Sequence, residues 1–397
     1  MSVPLLDLKR QNAPLRAELL QAFERVLDSG QYILGKEVEQ FERAGAALAG
    51  ARHGVGVASG TDAILLALMA LGIGPGDEVI CPSFTFFATA GCIARTGARP
   101  VFADSCAVCF NLDPQSFEHL ISPRTKAVIP VHLFGQAAHM REIMQVARAH
   151  QLAVIEDAAQ ALGAAYQGEP VGSIGTFGTF SFFPSKNLGG FGDSGLLTAN
   201  DDGLAEKARL LRSHGAKPKY FHKMVGGNFR MDPIHAALLS VKLPHLGEYS
   251  RGRNAHACKY NTRLAEVAGA AVNNGFSRPE MEERAAFLLL PAPHDGNTHI
   301  WNQYTVRVVP GRGWVRPETP RDALRSFLQE RGIGSEIYYP RPMHQQECFA
   351  YAGPHAALPV CERLARESVS LPVFPELTAE EQDATIAALA DFLAQNR

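Results

Sequence analysis

The chain has 397 residues, 46% of them hydrophobic, enough to bury a large core and to make two domains the natural expectation. Its 38 Lys and Arg against 40 Asp and Glu leave a net charge of −2, with the signs interspersed, so nothing electrostatic favours a nucleic-acid or membrane partner. No apolar run reaches membrane-spanning length, and Asp7, Lys9 and Arg10 interrupt any signal-peptide core, which leaves a reduced, cytoplasmic protein as the expectation.

Apolar residues at helical spacing (Leu15, Leu19, Leu20, Phe23, Leu27) predict a helix over 14–27, ending at Gly30, and a second follows over 37–48. Next come a short strand, the turn Ser59-Gly60-Thr61-Asp62 and an apolar helix. Free amides and a hydroxyl at a helix N-terminus form a phosphate cup, although an ordinary N-cap has the same sequence. The glycines here do not have dinucleotide-fingerprint spacing.

From Pro75 to Arg148 strands (78–81, 99–103, 126–132) alternate with helices (87–96, 117–121, 140–150), which implies a parallel sheet covered on both faces. Phe84, Phe86 and Phe87 lie just past a strand end, where an aromatic either stacks on a flat ring or fills the core. His132 ends another strand and has the same two readings. Cys106 and Cys109 have CxxC spacing, but with no second pair and no nearby histidine cluster no metal site is expected.

The richest stretch is 151–197. Leu152 to Ile155 is a strand buried on both faces, and it ends in Glu156-Asp157, where open α/β sheets place ligands. Gln160 follows one turn later. A second buried strand, 179–183, runs into Pro184-Ser185-Lys186-Asn187 and two glycines. Desolvation makes a lysine amine a usable nucleophile, and an aspartate at the neighbouring strand end keeps a pyridine nitrogen protonated, so the pair Lys186 and Asp157 suggests pyridoxal phosphate (PLP).

Further on, 205–211 is helical, 214–225 is a polar excursion carrying aromatics, and Pro233 opens a helix to 243. Gly, Ser and clustered charge at 247–253 suggest a boundary between a domain of residues 1–250 and a smaller one of residues 251–397. The second domain has helices at 255–267, 320–331 and 378–395 around strands such as 303–309. Its loop Tyr338-Tyr339-Pro340-Arg341-Pro342-Met343-His344 gathers hydroxyls, a guanidinium and an imidazole.

In order along nearly the whole chain, the motifs PLLDLKRQ, YILGKEVEQFE, ASGTDAILLAL, GPGDEVICPSFTFFATA, IPVHLFGQ, VIEDAAQALGA, SFFPSKNLGGFGDSG, GGNFRMD and YYPRPMHQQ resemble the DegT/StrS family of sugar-nucleotide aminotransferases. The resemblance implies an α/β, fold type I PLP-transferase with a mixed, mostly parallel central sheet and a smaller C-terminal α+β domain. It makes Lys186 the Schiff-base lysine and Asp157 the pyridinium partner, and it places Gln160 by the phenolic oxygen and Phe86 on the ring. Gly60, Thr61, Asp62 and Ser181 would hold the phosphate, joined by Asn228 from the other subunit of a homodimer. Tyr338, His344, Lys219 and Tyr220 are the candidates for substrate contact. His235 stands where the family usually has glutamine, with packing as its expected role.

The implied reaction passes an amino group from L-glutamate to a nucleotide-linked keto-hexose. KPKYFHKMVGGNFRMD leans to the branch acting on UDP- or dTDP-linked 3-keto sugars over the 4-keto branch. Related dehydratases carry histidine in place of the lysine, and a catalytically silent regulatory or scaffold protein would have little reason to keep Asp157, Gln160, Ser181 and Lys186 together.

Overall fold

A computed structural model describes residues 2–273, 285–352 and 357–396. Seven strands form the central sheet: β1 (His53–Val57), β2 (Glu78–Pro82), β3 (Arg99–Ala103), β4 (Thr125–Val128), β5 (Ala153–Asp157), β8 (Phe177–Ser181) and β9 (Gly195–Ala199). The two-residue pair β6 (Ala165–Tyr166) and β7 (Glu169–Pro170) lies apart from it. The sheet order is β1-β9-β8-β5-β4-β2-β3, with β9 antiparallel to both neighbours and the other pairs parallel.

Both faces of this sheet are covered, which is why its strands read as continuous apolar runs. Alternation along β2 shows the two layers. Val79 and Cys81 pack with the helices Gly60–Leu71 and Phe87–Arg95, and Ile80 packs with Val128, Val154 and the helix Met140–Ala149. The carboxyl ends of β2, β4, β5 and β8 therefore open on one side of the sheet, and the candidate residues gather there.

A second, four-stranded sheet has the order β10 (Ala270–Val272), β11 (Ala286–Leu290), β12 (Tyr304–Pro310) and β13 (Ser368–Leu371). Val306 and Val308 of β12 join a core with Leu264, Leu324, Leu328 and Leu389 from three helices. Arg307 points to the opposite face, where it pairs with Glu367 at 2.6 Å. The N-terminus joins this unit as well. Val3 bridges Ile333, and Arg10 makes a two-pronged bond to Glu381 at 2.7 and 2.8 Å. Among the described residues no helix is long and apolar enough to cross a membrane.

Two expectations need correction. The strand placed at 179–183 runs from 177 to 181, because Phe182 turns into the core against Phe41 while Phe183 turns outward. The glycines at 247–253 do not mark a break in the chain, since one helix runs through Leu246–Ala265. There Tyr249 and Arg253 are buried, and a Cβ on Gly252 would lie 3.1 Å from Pro375, so that glycine serves close packing.

Candidate active site

Asp157 is the last residue of β5, fixed by backbone bonds to neighbours on both sides. Its amide donates to Pro130 O, and its carbonyl accepts from His132 N. The carboxylate receives the Thr89 hydroxyl at 2.7 Å and the Ala159 amide at 3.2 Å. Burial pushes its pKa up, and the Thr89 and Ala159 bonds and the charge of Lys186 pull it back. Thr89 gave no sign in the sequence. It sits one turn into a helix that reads as packing, and a second threonine, Thr85, lies 3.1 Å behind it.

The neighbouring acid has a different duty. Glu156 is fully buried and accepts from the amides of Gly172, Ile174 and Gly175 at 2.7–2.9 Å. His132 Nδ1 accepts from the Ala138 amide, so its Nε2 carries the hydrogen and donates to Glu156 at 2.9 Å. Of its two readings, His132 is the satisfied core histidine.

Lys186 sits in a turn closed by its own amide on Phe183 O at 2.8 Å. Burial brings its amine down to about 8, against the opposing pull of Asp157. Three anchors hold this turn. A Cβ on Gly189 would lie 2.0 Å from Pro184 O, so only glycine lets the loop fold back on itself. Asn187 donates to Ile300 O and accepts from Asn302. Lys242, fully buried and itself brought down to about 8 by burial, donates to Gly189 O at 2.5 Å.

The proposed phosphate end is the N-terminus of the helix Gly60–Leu71. Its first amides have no acceptor within the helix. Gly60 faces Ser181 so closely that a Cβ would stand 2.7 Å from the serine Cβ. The Asp62 amide is already spent on Ser59 Oγ at 3.0 Å, and desolvation raises the carboxyl of Asp62. Ser59 is therefore the cap and Asp62 the residue it caps, so Gly60, Thr61 and Ser181 are the candidates with groups free to meet a phosphate, and Asp62 would act through its side chain alone. Gln160 is fixed at both ends, accepting from Phe134 N at 2.7 Å and donating to Tyr339 Oη at 3.2 Å. Phe86 stays 55% exposed at the site's mouth, with its ring 6.1 Å from that of Tyr339.

The substrate candidates divide. His344 is committed: Ser83 Oγ bonds its Nδ1 at 2.7 Å and Glu362 lies 3.3 Å from its Nε2, so it fastens the 338–344 loop to the end of β2. Tyr338 is half-buried beside Tyr339. Lys219 lies over the Tyr220 ring on an exposed excursion, and Tyr220 is 78% exposed. Asn228 is exposed too and pairs with Ser213 only through the backbone. His235 does more than pack. It bonds Asp232 at 2.8 Å, which raises its pKa, and it lies beneath Gly192 in the lysine loop.

The expectation of no metal-ligand group also changes. Folding brings His139 to the CxxC pair, and the ligand atoms of Cys106, Cys109 and His139 all lie within 4.8 Å of one another. The sequence signal was hidden because His139 caps a helix in a later βα unit.

Taken together, a desolvated amine, a buried carboxylate at a strand end and a helix N-terminus opened by Gly60 fit a flat, phosphorylated pyridine. Lys186 would hold it covalently, Asp157 would meet its nitrogen, and the Gly60–Ser181 cradle would take its phosphate.

Residues 14–390 match the model of the DegT/DnrJ/EryC1/StrS aminotransferase family. A "pleiotropic regulatory protein" of Geobacillus stearothermophilus is 46% identical, covering 99% of both chains. A UDP-N-acetyl-3-dehydro-α-D-glucosamine 3-aminotransferase of Acidithiobacillus ferrooxidans is 44% identical over 98% of this chain and 97% of its own. The crystal structure of S. venezuelae DesV in complex with a ketimine intermediate superposes with a TM-score of 0.89 at 41% identity, covering 99% of this chain and 98% of that one.

Proposed function

The chain belongs to the DegT/DnrJ/EryC1/StrS aminotransferase family, and we propose that it transfers an amino group to C3 of a UDP- or dTDP-linked keto-hexose. It is a PLP-dependent sugar aminotransferase of fold type I. The observation that carries the reading is the Lys186 amine, brought down to about 8 in a site whose other wall holds Asp157. An ordinary lysine stays protonated near neutral pH, whereas this one both gives up and takes back a proton there.

When bound, PLP supplies the electron sink that makes the proton on the amine-bearing carbon labile. The protein's residues do the rest. Lys186 Nζ moves that proton from one carbon to the other. Asp157, held by Thr89 Oγ and the Ala159 amide, would meet the pyridine nitrogen, and those two bonds favour its ionised form. Gln160, Tyr339 and Phe86 would border the ring, since Tyr339 bonds Gln160 and lies beside Phe86. Tyr338, next to Tyr339, would meet the sugar.

The donor in this reading is L-glutamate, and the working unit is a homodimer. Support for the dimer comes from the exposed apolar side chains Leu20, Phe23, Leu27 and Ile33 near the N-terminus and Phe191 beside the lysine loop. In the same assembly Asn228 reaches the partner's phosphate site, with Lys219 and Tyr220 alongside. The name of the Geobacillus relative describes regulation; here the intact pair of Lys186 and Asp157 favours catalysis.

The test offers the purified protein UDP- and dTDP-linked 3-keto and 4-keto sugars with L-glutamate and measures 2-oxoglutarate. Turnover with a 3-keto sugar, lost in Lys186→Ala, is the expected result. Turnover confined to 4-keto sugars would overturn the position, and none with any sugar would overturn the substrate class.

A further inference from the structure

Beyond the end of β3 the chain makes a tight loop closed by a bridge between Ser105 and Leu112. Inside it the Cys106 amide donates to Asn111 O at 2.8 Å and the Phe110 amide returns to Cys106 O at 3.0 Å. The Val108 amide, two residues on, points at Cys106 Sγ at 3.4 Å. A backbone amide aimed at the first sulfur of a CxxC turn favours a thiolate there.

Two imidazoles from other parts of the fold meet here, His139 against the sulfurs and His294 against the ring of His139. His139 stands at the start of the helix Met140–Ala149, its Nε2 3.7 Å from Cys109 Sγ. His294, between β11 and β12, has its ring 4.7 Å from that of His139, tilted by 49°. Among the described residues its Nε2 is buried without a hydrogen-bond partner, a condition that costs about 1–3 kcal/mol unless something fills it.

We propose that Cys106, Cys109, His139 and His294 bind a zinc ion that pins the loop after β3 to the segment between β11 and β12. Two thiolates and two imidazoles make a soft, tetrahedral set of the kind zinc occupies in structural sites. Zn–S bonds of about 2.3 Å and Zn–N bonds of about 2.0 Å place ligand atoms roughly 3.3–3.8 Å apart in a tetrahedron. The Cys109–His139 separation already falls in that range, and the whole three-residue group needs to contract by no more than about 1 Å to reach it. The charges cancel, so burial carries no net ionic penalty, and Cys109 releases its proton as the ion enters.

The surroundings make the ion a structural tie with no part in amino transfer. The carbonyl of Ala107, between the two cysteines, accepts from Arg307 at 2.9 Å and from Asn273 at 3.1 Å, both in the second sheet's unit. On the other side Asn111 accepts the Leu133 amide at 2.9 Å, next to Phe134, whose amide fixes Gln160. A disulfide between Cys106 and Cys109 would leave His139 and His294 with no shared purpose.

The test uses the full-length PLP-loaded enzyme with the exposed Cys258 and Cys348 replaced by serine. It is reduced, stripped with a chelator and titrated with Zn²⁺ against a chromophoric competitor, then with Co²⁺ to read the thiolate-to-cobalt charge-transfer band. One ion per chain with a tetrahedral, two-thiolate cobalt spectrum is expected. Cys106→Ser with Cys109→Ser should abolish uptake, and His294→Ala should weaken it by at least tenfold while the PLP absorbance persists. If the double-serine protein does not fold, X-ray absorption at the zinc edge of the parent decides. A shell of two sulfurs and two nitrogens supports the site, and a shell of nitrogen and oxygen alone overturns it. Uptake unchanged by the serine pair, uptake unchanged in His294→Ala, or no uptake after a Cys106–Cys109 disulfide is reduced would each overturn it.

Discussion

Thr89 decides how well Asp157 can work. A carboxylate buried behind a cofactor loses charge to desolvation, and the Thr89 hydroxyl at 2.7 Å is the first force that restores it. Thr89→Val keeps the shape and removes that bond, which is worth about 1.5–3 kcal/mol to a charged acceptor. We expect kcat to fall on the order of 10–100-fold, with KM for the sugar unchanged and activity recovered in Thr89→Ser. A loss confined to KM would show that the hydroxyl serves the substrate. Lys186 offers a second measurement. In apoenzyme given PLP, the visible band should form about tenfold faster per pH unit up to about 8 and then level off, because a lowered lysine is fully deprotonated above that value. A rate still climbing through about pH 10 would mean an ordinary lysine. That Lys186 and Asp157 share one buried site was legible in the sequence, because a lysine and an aspartate are rare at the ends of buried strands. Thr89 was not, since a threonine inside a helix has no pattern of its own, and neither were the bonds of the His344 imidazole to Ser83 and Glu362.

The lysine loop works as one element. Its backward fold depends on the absence of a side chain at Gly189, where a Cβ would meet Pro184 O at 2.0 Å. Gly189→Ala should cost roughly 1–3 kcal/mol or more and displace the turn that aims Lys186, read as a lower melting temperature and faster loss of PLP on dialysis. Gly74→Ala is the control, because its Cβ would meet only Thr96 O at an ordinary 3.7 Å. Equal behaviour of the two variants would remove the loop argument. Elements with strong apolar runs, such as β2, β3 and β5, read correctly from sequence because burial on both faces writes itself into composition. β9 was harder: antiparallel strands between parallel neighbours carry no separate mark, and register belongs to the sheet. The helix Leu246–Ala265 hid behind Gly247 and Gly252, which look like a linker until Pro375 is seen against Gly252.

At the scale of the whole molecule the exposed Asn228 leaves a site short of one donor in each chain, if the dimer shares its sites as proposed. Mixing Asn228→Ala with Lys186→Ala subunits at limiting PLP should then restore activity, because the heterodimer holds one site with both defects and one with neither. Proven subunit exchange without recovery would assign Asn228 to its own chain. No sequence pattern could bring His139 to the CxxC loop and His294 to His139, because only the packing of separate βα and β-strand units does so.

The bridge from Val3 to Ile333 and the clasp of Arg10 on Glu381 bear on how the polypeptide is made. Arg10 and its partner Glu381 lie 371 positions apart, so the segment is made long before the residues it joins. During translation the central sheet is complete in sequence while the segment of Val3 and Arg10 still has no edge to join, so the second sheet's unit closes after the central sheet is made. An N-terminal fusion would burden that late stitching step and not the earlier assembly of the central sheet.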